Sequence, residues 1–323
     1  MDPYHNPIDL DFVNQKTEAL FKEVSKFIVG QHSMVRYITN GLLCNGHILL
    51  EGNPGLAKTT TARCIAKTLA CGFSRIQFTP DLMPADILGT AIFNPQNQQF
   101  EFRKGPIFSN FILIDEINRA PARTQSALFE VMEERQVSVD GSQHLLTFPF
   151  LVIATQNPIE MEGTYRLPEA QLDRFQLKID IPYPSPEEET QLLMQFREGK
   201  DLSDIDQVQA VWDIQDLKKL QSWVNQVTVD EKLIHYITAI VQNSRKSKDF
   251  MLGASPRAAI YLLKSARAHA LLEGRDFVIP EDIVEVSLPV LSHRLILSAE
   301  RELDGAGMPN LVKKLVKSVE VPR

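Results

Sequence analysis

The run HILLEG (His47–Gly52) passes into the loop EGNPGLAKTT (Glu51–Thr60), and beyond it Ala62, Ile65, Ala66 and Leu69 recur at helical spacing. A loop of this composition needs the end of a strand to launch it and the positive end of a helix to close it. That commits the first half of the chain to an α/β layer. Backbone N–H groups of such a loop can wrap a phosphate, with Lys58 as a point charge and the Thr59 hydroxyl turned to Mg²⁺. The competing reading is a chance glycine–lysine turn. Ala57 stands where the general pattern G-x-x-x-x-G-K-[ST] has its second glycine. One methyl is tolerable there if Ala57 takes the ordinary backbone of a helix start.

Four more runs rich in branched or aromatic residues follow: RIQFT (Arg75–Thr79), FILIDE (Phe111–Glu116), FPFLVIAT (Phe148–Thr155) and QLKIDI (Gln176–Ile181). Several are apolar almost throughout, as strands covered on both faces must be, so a parallel five-stranded sheet with flanking helices is expected. After IPYPSPEEE (Ile181–Glu189) the strand signals stop. Ser185-Pro186-Glu187 is a good helix start, and helices are expected near 186–198, 214–226, 229–246, 256–273 and 280–291. The division is therefore 1–183, an α/β core with an N-terminal helix, and 184–323, an all-α domain. Two segments do not fit a plain sheet. TAIFNPQNQQFEFRKGPIF (Thr90–Phe108) and QVSVDGSQHLLTF (Gln136–Phe148) alternate around polar turns and read as β-hairpin insertions, against the plainer alternative of surface loops.

The apolar residues Ile112, Leu113 and Ile114 lead directly into Asp115-Glu116. Two carboxylates at the carboxyl end of a buried strand cost desolvation unless an ion or water uses them. Asp115 suits the Mg²⁺ shell, and Glu116 the polarisation of an attacking water; an acid pair capping the next helix is the alternative. Another strand ends in ATQNP (Ala154–Pro158), where Asn157 could reach a terminal phosphate or its water, or simply make an Asn-Pro turn.

Composition bounds the partners. The 323 residues are 44% hydrophobic and 23% charged, with net charge −7. With a pI near 5.6, bulk attraction to nucleic acid or to an anionic membrane is disfavoured. No apolar run approaches the ~20 residues that span a bilayer. With no basic leader at the start, a cytoplasmic protein is expected. Cys44, Cys64 and Cys71 form no C-x-x-C pair, and the seven histidines show no metal-ligand spacing.

In their order, GNPGLAKT, ILIDEINRAPARTQSALFEVMEERQVSVDG, ATQNPIEMEGTYRLPEAQLDRF and GASPRA resemble the MoxR family of AAA+ ATPases, from about Phe27 to His293-Arg294. The resemblance implies an AAA+ P-loop core with a C-terminal helical lid, ATP and Mg²⁺ as cofactors, and alanine as a frequent residue at position 57. It assigns Gly52, Asn53, Pro54, Gly55, Leu56, Ala57, Lys58, Thr59 and Thr60 to the phosphates. Asp115 and Thr59 fall to the metal, Glu116 to the catalytic base and Asn157 to sensor 1. Arg257 becomes a sensor 2 arginine facing the nucleotide of its own chain. Arg174 becomes the arginine finger given to a neighbouring subunit, with Arg166 as competitor. Ile28, Val29, Gly30 and Gln31 line the adenine pocket. ATP is favoured over GTP because Leu177-Lys178-Ile179-Asp180 is a poor N-K-x-D.

The family also implies a ring, expected as a hexamer, with ATP between sheet domain and lid and chaperone-like work on protein clients. That work would be assembly, maturation or metal loading, often with a von Willebrand factor A-domain partner. The alternatives are a nucleic-acid motor, a magnesium-chelatase-like motor subunit, or a nucleotide-gated binding module with little turnover. Gln136–Phe148 contains no Lys or Arg, which weighs against the first, and the intact Glu116 weighs against the last.

Overall fold

The structure is a computed structural model and describes residues 8–139, 141–157, 165, 167–199 and 204–322. Two helices come first, α1 (Leu10–Ser25) and α2 (His32–Leu43). Asp9 starts α1 by accepting the Phe12 N–H at 3.0 Å. The core then runs β1 (His47–Glu51), α3 (Lys58–Thr68), β2 (Phe73–Gln77), α4 (Pro84–Leu88), β3 (Gly89–Asn94), β4 (Gln99–Lys104) and β5 (Phe111–Asp115). It continues with α5 (Ala122–Glu134), β6 (Gln136–Val139), β7 (Ser142–Leu145), β8 (Leu151–Gln156), α6 (Glu169–Leu172) and β9 (Phe175–Asp180). The five predicted core strands form, and both insertions are antiparallel hairpins, β3–β4 and β6–β7. Asp140, in the turn of the second hairpin, lies outside the described residues.

The sheet order is β2-β5-β8-β1-β9, with every pairing parallel. Strand β8 therefore separates β1 from β5. Side chains alternate between the faces, as the strand period requires. Ile48, Leu50, Leu113 and Ile153 join one core cluster, and Leu49, Ile112, Ile114 and Val152 join another, with Leu128 and Phe129 of α5. Residues buried on both faces explain why these strands read as unbroken apolar runs.

The C-terminal part consists of α7 (Pro186–Arg197), α8 (Ile214–Gln226), α9 (Glu231–Lys246), β10 (Phe250–Leu252), α10 (Pro256–Leu272), α11 (Pro280–Leu291), β11 (Ile296–Leu297), α12 (Ala299–Leu303) and α13 (Met308–Lys317). The predicted capping of α7 is present, with Ser185 Oγ accepting the Glu188 N–H at 3.3 Å and Glu188 answering the Ser185 N–H at 2.8 Å. This helical domain also holds a small antiparallel ribbon, β10–β11, which the sequence reading left out. Strands of three and two residues are too short for a periodic signal. The helical domain shares one core cluster with a face of the sheet, running from Ile48 and Leu177 to Trp223, Leu262 and Val290.

Candidate functional site

At the carboxyl ends of β1, β5 and β8 lies a cavity of about 490 Å³, lined by residues 54–60, Arg75, Gln77, Asp115, Glu116, Thr155 and Asn157. The order of the sheet makes this meeting possible, because the β1 loop and the β5 acids flank the end of β8. Lys58 turns back over the loop and donates to the Gly52 carbonyl at 2.6 Å. Burial lowers its pKa, while the charges of Asp115 and Glu116 act the other way. At Gly52 a Cβ would stand 3.1 Å from the Ile181 carbonyl oxygen, a contact that the neighbouring backbone would have to yield to.

Asp115 is 8% exposed, and its carboxylate accepts Arg75 Nε at 2.5 Å. Thr155 Oγ1 donates to its other oxygen at 3.3 Å and accepts the Glu116 N–H at 3.1 Å, so one hydroxyl registers both acids. Glu116 sits in the left-handed region at φ 58° and ψ 52°. A non-glycine residue held there stores roughly 1–3 kcal/mol of backbone strain, and such residues cluster at functional sites. Its carboxylate accepts Gln77 Nε2 at 2.8 Å and Arg119 Nη1 at 2.9 Å. Sequence reasoning missed Gln77, Arg75 and Thr155. Thr155 had a signal, a hydroxyl ending an apolar strand; the other two depend on β2 lying beside β5.

Ala57 departs from expectation. It caps α3 from the left-handed region, φ 55° and ψ 20°, rather than with a helical backbone. The turn itself demands positive φ, and an L-residue there costs roughly 1–2 kcal/mol. Gly55, at φ 85°, faces open space. Asn53 donates to Tyr183 OH at 2.7 Å.

Ile28, Val29, Gly30 and Gln31 do not line the phosphate-loop cavity. Ile28 and Gln31 border a cavity of about 310 Å³ between α1 and α2. Gly30 and Gln31 also border one of about 130 Å³, with Asp180 at the end of β9, Ile181 and Pro182 after it, and Leu288 and Pro289 of α11. Among the described residues, no helical-domain residue lines the phosphate-loop cavity. Residues of the sheet domain and of the helical domain meet in this smaller cavity beside Gly30-Gln31.

Arg257 is also misplaced in the sequence reading, which put it facing its own nucleotide. Its Nη2 donates to Glu133 Oε1 at 3.1 Å, and Arg174 Nη2 meets Oε2 of the same carboxylate at 3.1 Å. Both arginines line a second cavity of about 170 Å³ with His47 and Arg135, which shares no residue with the first. The reason is topological. β9 runs parallel to β1 with Phe175 beside His47, so the residue before β9 lies at the amino ends of the strands, opposite the loop. The start of α10 docks at that end. Arg166 lies outside the described residues.

A P-loop on a five-stranded parallel sheet, facing an acid pair across one cleft and carrying a C-terminal helical domain, defines a nucleotide-binding core of the AAA ATPase class. The family profile "ATPase family associated with various cellular activities (AAA)" matches residues 47–177, and "AAA lid domain" matches residues 242–313. The chain is 43% identical to "Chaperone MoxR1" of Mycobacterium tuberculosis over 96% of its own length and 83% of that protein's. It is also 43% identical to "Uncharacterized protein YeaC" of Bacillus subtilis, over 93% of each. A crystal structure of a putative ATPase from Cytophaga hutchinsonii superposes with a TM-score of 0.89 at 43% identity, covering 97% of both chains. The chain belongs to the MoxR family of AAA+ ATPases.

Proposed function

We propose that the protein is a Mg²⁺-dependent ATPase that works as a ring, expected as a hexamer, and drives chaperone-like work on other proteins. The observation carrying this reading is the convergence of Lys58, Thr59, Asp115, Glu116 and Asn157 on one cavity. The donor set fits the metal. Mg²⁺ bound with a nucleotide takes few protein ligands and fills its shell with phosphate oxygens and water. One hydroxyl, Thr59, and one carboxylate, Asp115, therefore suffice. Bound there, Mg²⁺ supplies charge neutralisation at the phosphates.

The chain's own groups do the rest. The loop N–H groups and Lys58 hold the phosphates. Glu116, gripped by Gln77 and Arg119, takes the proton of the attacking water. Asn157 orients that water. Arg174 and Arg257 point away from their own cleft, which favours both serving the nucleotide of an adjoining copy and gives the ring a chemical reason.

The hairpins suit a protein client. Phe102 of β4 stacks on His144 of β7 at 4.1 Å, joining them, and Phe93, Phe100 and Leu145 are exposed. Only Arg103 and Lys104 offer cations on the first hairpin, a poor phosphate track for a nucleic-acid motor. The client work we assign is assembly, maturation or metal loading, with a von Willebrand factor A-domain protein as partner, in the cytoplasm. No helix among the described residues is long and apolar enough to cross a membrane.

The test is nucleotide binding and phosphate release by two variants. Glu116→Gln should keep ATP binding and lose roughly 10²- to 10⁴-fold in turnover, whereas Lys58→Ala should lose binding. Parental turnover by Glu116→Gln would remove Glu116 as the base.

A further inference from the structure

Asp173 ends α6 as its C-cap and immediately precedes Arg174. Its Oδ1 accepts Arg294 Nε at 2.7 Å, and its Oδ2 accepts Ser255 Oγ at 3.1 Å. Arg294 also donates through Nη2 to the Asp173 carbonyl at 3.0 Å and through Nη1 to the Gln176 carbonyl at 3.3 Å. Its side chain is 1% exposed, so this guanidinium has exchanged water for one carboxylate and a set of main-chain oxygens. A charge so buried is stable only while that pairing lasts.

Ser255 in turn caps α10, accepting the Ala258 N–H at 3.4 Å, and Arg257 follows in the first turn of that helix. One carboxylate thus holds the segment bearing Arg174 and, 82 residues away in sequence, the helix start bearing Arg257. It touches neither arginine head, and both heads converge on Glu133.

We propose that Asp173, with Arg294 as its buried counter-ion, is a positioning residue that sets Arg174 and Arg257 as a pair for the nucleotide of the adjoining subunit. This rests on the in-trans reading above. The geometry is demanding, because an arginine aimed at a transferring phosphoryl group must be held to within about an ångström. Arg174 and Arg257 lie on segments joined by no strand pairing, so the carboxylate supplies a register that the sheet does not.

Trans-complementation tests it. Asp173→Asn removes the charge at constant size, and turnover should fall roughly 10- to 100-fold with ATP affinity unchanged. Mixed with Glu116→Gln subunits, which present intact arginines, the Asp173→Asn subunits should regain hydrolysis, because their own cleft is whole. A defect of folding or of the cleft would show no such recovery.

Parental turnover by folded Asp173→Asn overturns the proposal. So does failure to recover on mixing while Arg174→Ala recovers in the same assay. If neither variant recovers, the in-trans reading has failed and takes the proposal with it. Ser255→Asp keeps a capping acceptor on α10 but sets a second carboxylate against Asp173. It should reproduce both the loss and the recovery with its unfolding midpoint near the parent's, and it decides the matter should Asp173→Asn not fold. Parental turnover by Ser255→Asp likewise overturns the proposal.

Discussion

The two ends of the central sheet are built from opposite chemistry. At the carboxyl ends, an acid pair and a lysine meet around an open cavity, and Ala57 and Glu116 are both held at positive φ. At the amino ends, Arg174 and Arg257 share Glu133 above a packed floor that contains His47, His293 and Arg294, each under 10% exposed. One end spends backbone strain to shape a receptor for anions. The other buries one guanidinium and two imidazoles beneath two arginines that share a carboxylate. On the proposed function these ends are a receptor and a donor, which lie too far apart to meet within a chain and would meet between copies.

Breaking the donor end should have the largest effect. Arg174→Ala is expected to bind ATP like the parent while hydrolysis drops about 10³-fold, as for arginines that stabilise phosphoryl transfer. Paired nucleotide titration and phosphate-release measurements check this, and weakened binding would mean that Arg174 serves its own cleft.

Acid should next distinguish the two ends. His47 Nδ1 accepts the Val152 N–H at 3.0 Å, so Nε2 carries the proton and donates to the Met132 carbonyl at 3.0 Å. Burial pushes its pKa down to about 4 from an ordinary 6.5, and burial holds His293 well below the usual range too. A depressed folded pKa means that the unfolded chain takes up the proton first as pH falls. The neutral imidazole's contribution is complete above about pH 6.5 and is lost on the way down to about pH 4, on the order of 3 kcal/mol for His47. Urea unfolding across that window should show the loss, and His47→Gln should show less of it. An equal loss in both proteins would clear His47.

The smallest effect belongs to the receptor loop. Ala57→Gly relieves roughly 1–2 kcal/mol of left-handed strain but adds roughly 0.4–1 kcal/mol of unfolded-chain entropy. The unfolding free energy should therefore rise by at most about 1.6 kcal/mol. A fall would show that the Ala57 methyl packs usefully enough to outweigh its backbone.

Legibility in the sequence followed distance along the chain. The loop before Lys58, the run Ile112–Asp115 and the helix start at Ser185-Pro186 are local patterns, and the folded chain shows each as a local element. Gln77 and Arg75 escaped notice because nothing near them marks their function; they matter only because β2 pairs with β5. Arg257 was misdirected for the same reason. Its motif states that a helix begins there, not which end of the sheet that helix meets. Ala57 was misjudged because residue type does not report the sign of φ at a turn.

Local covalent preference and periodicity, acting over a few residues, determined the elements and the phosphate loop, since hydrogen-bonded turns and alternating burial are encoded within a strand or helix length. Only the tertiary structure decided which acids, amides and arginines become neighbours. That choice is made by strand order, with β8 inserted between β1 and β5, and by the buried Arg294–Asp173 pair that fixes the helical domain to the amino ends of the sheet.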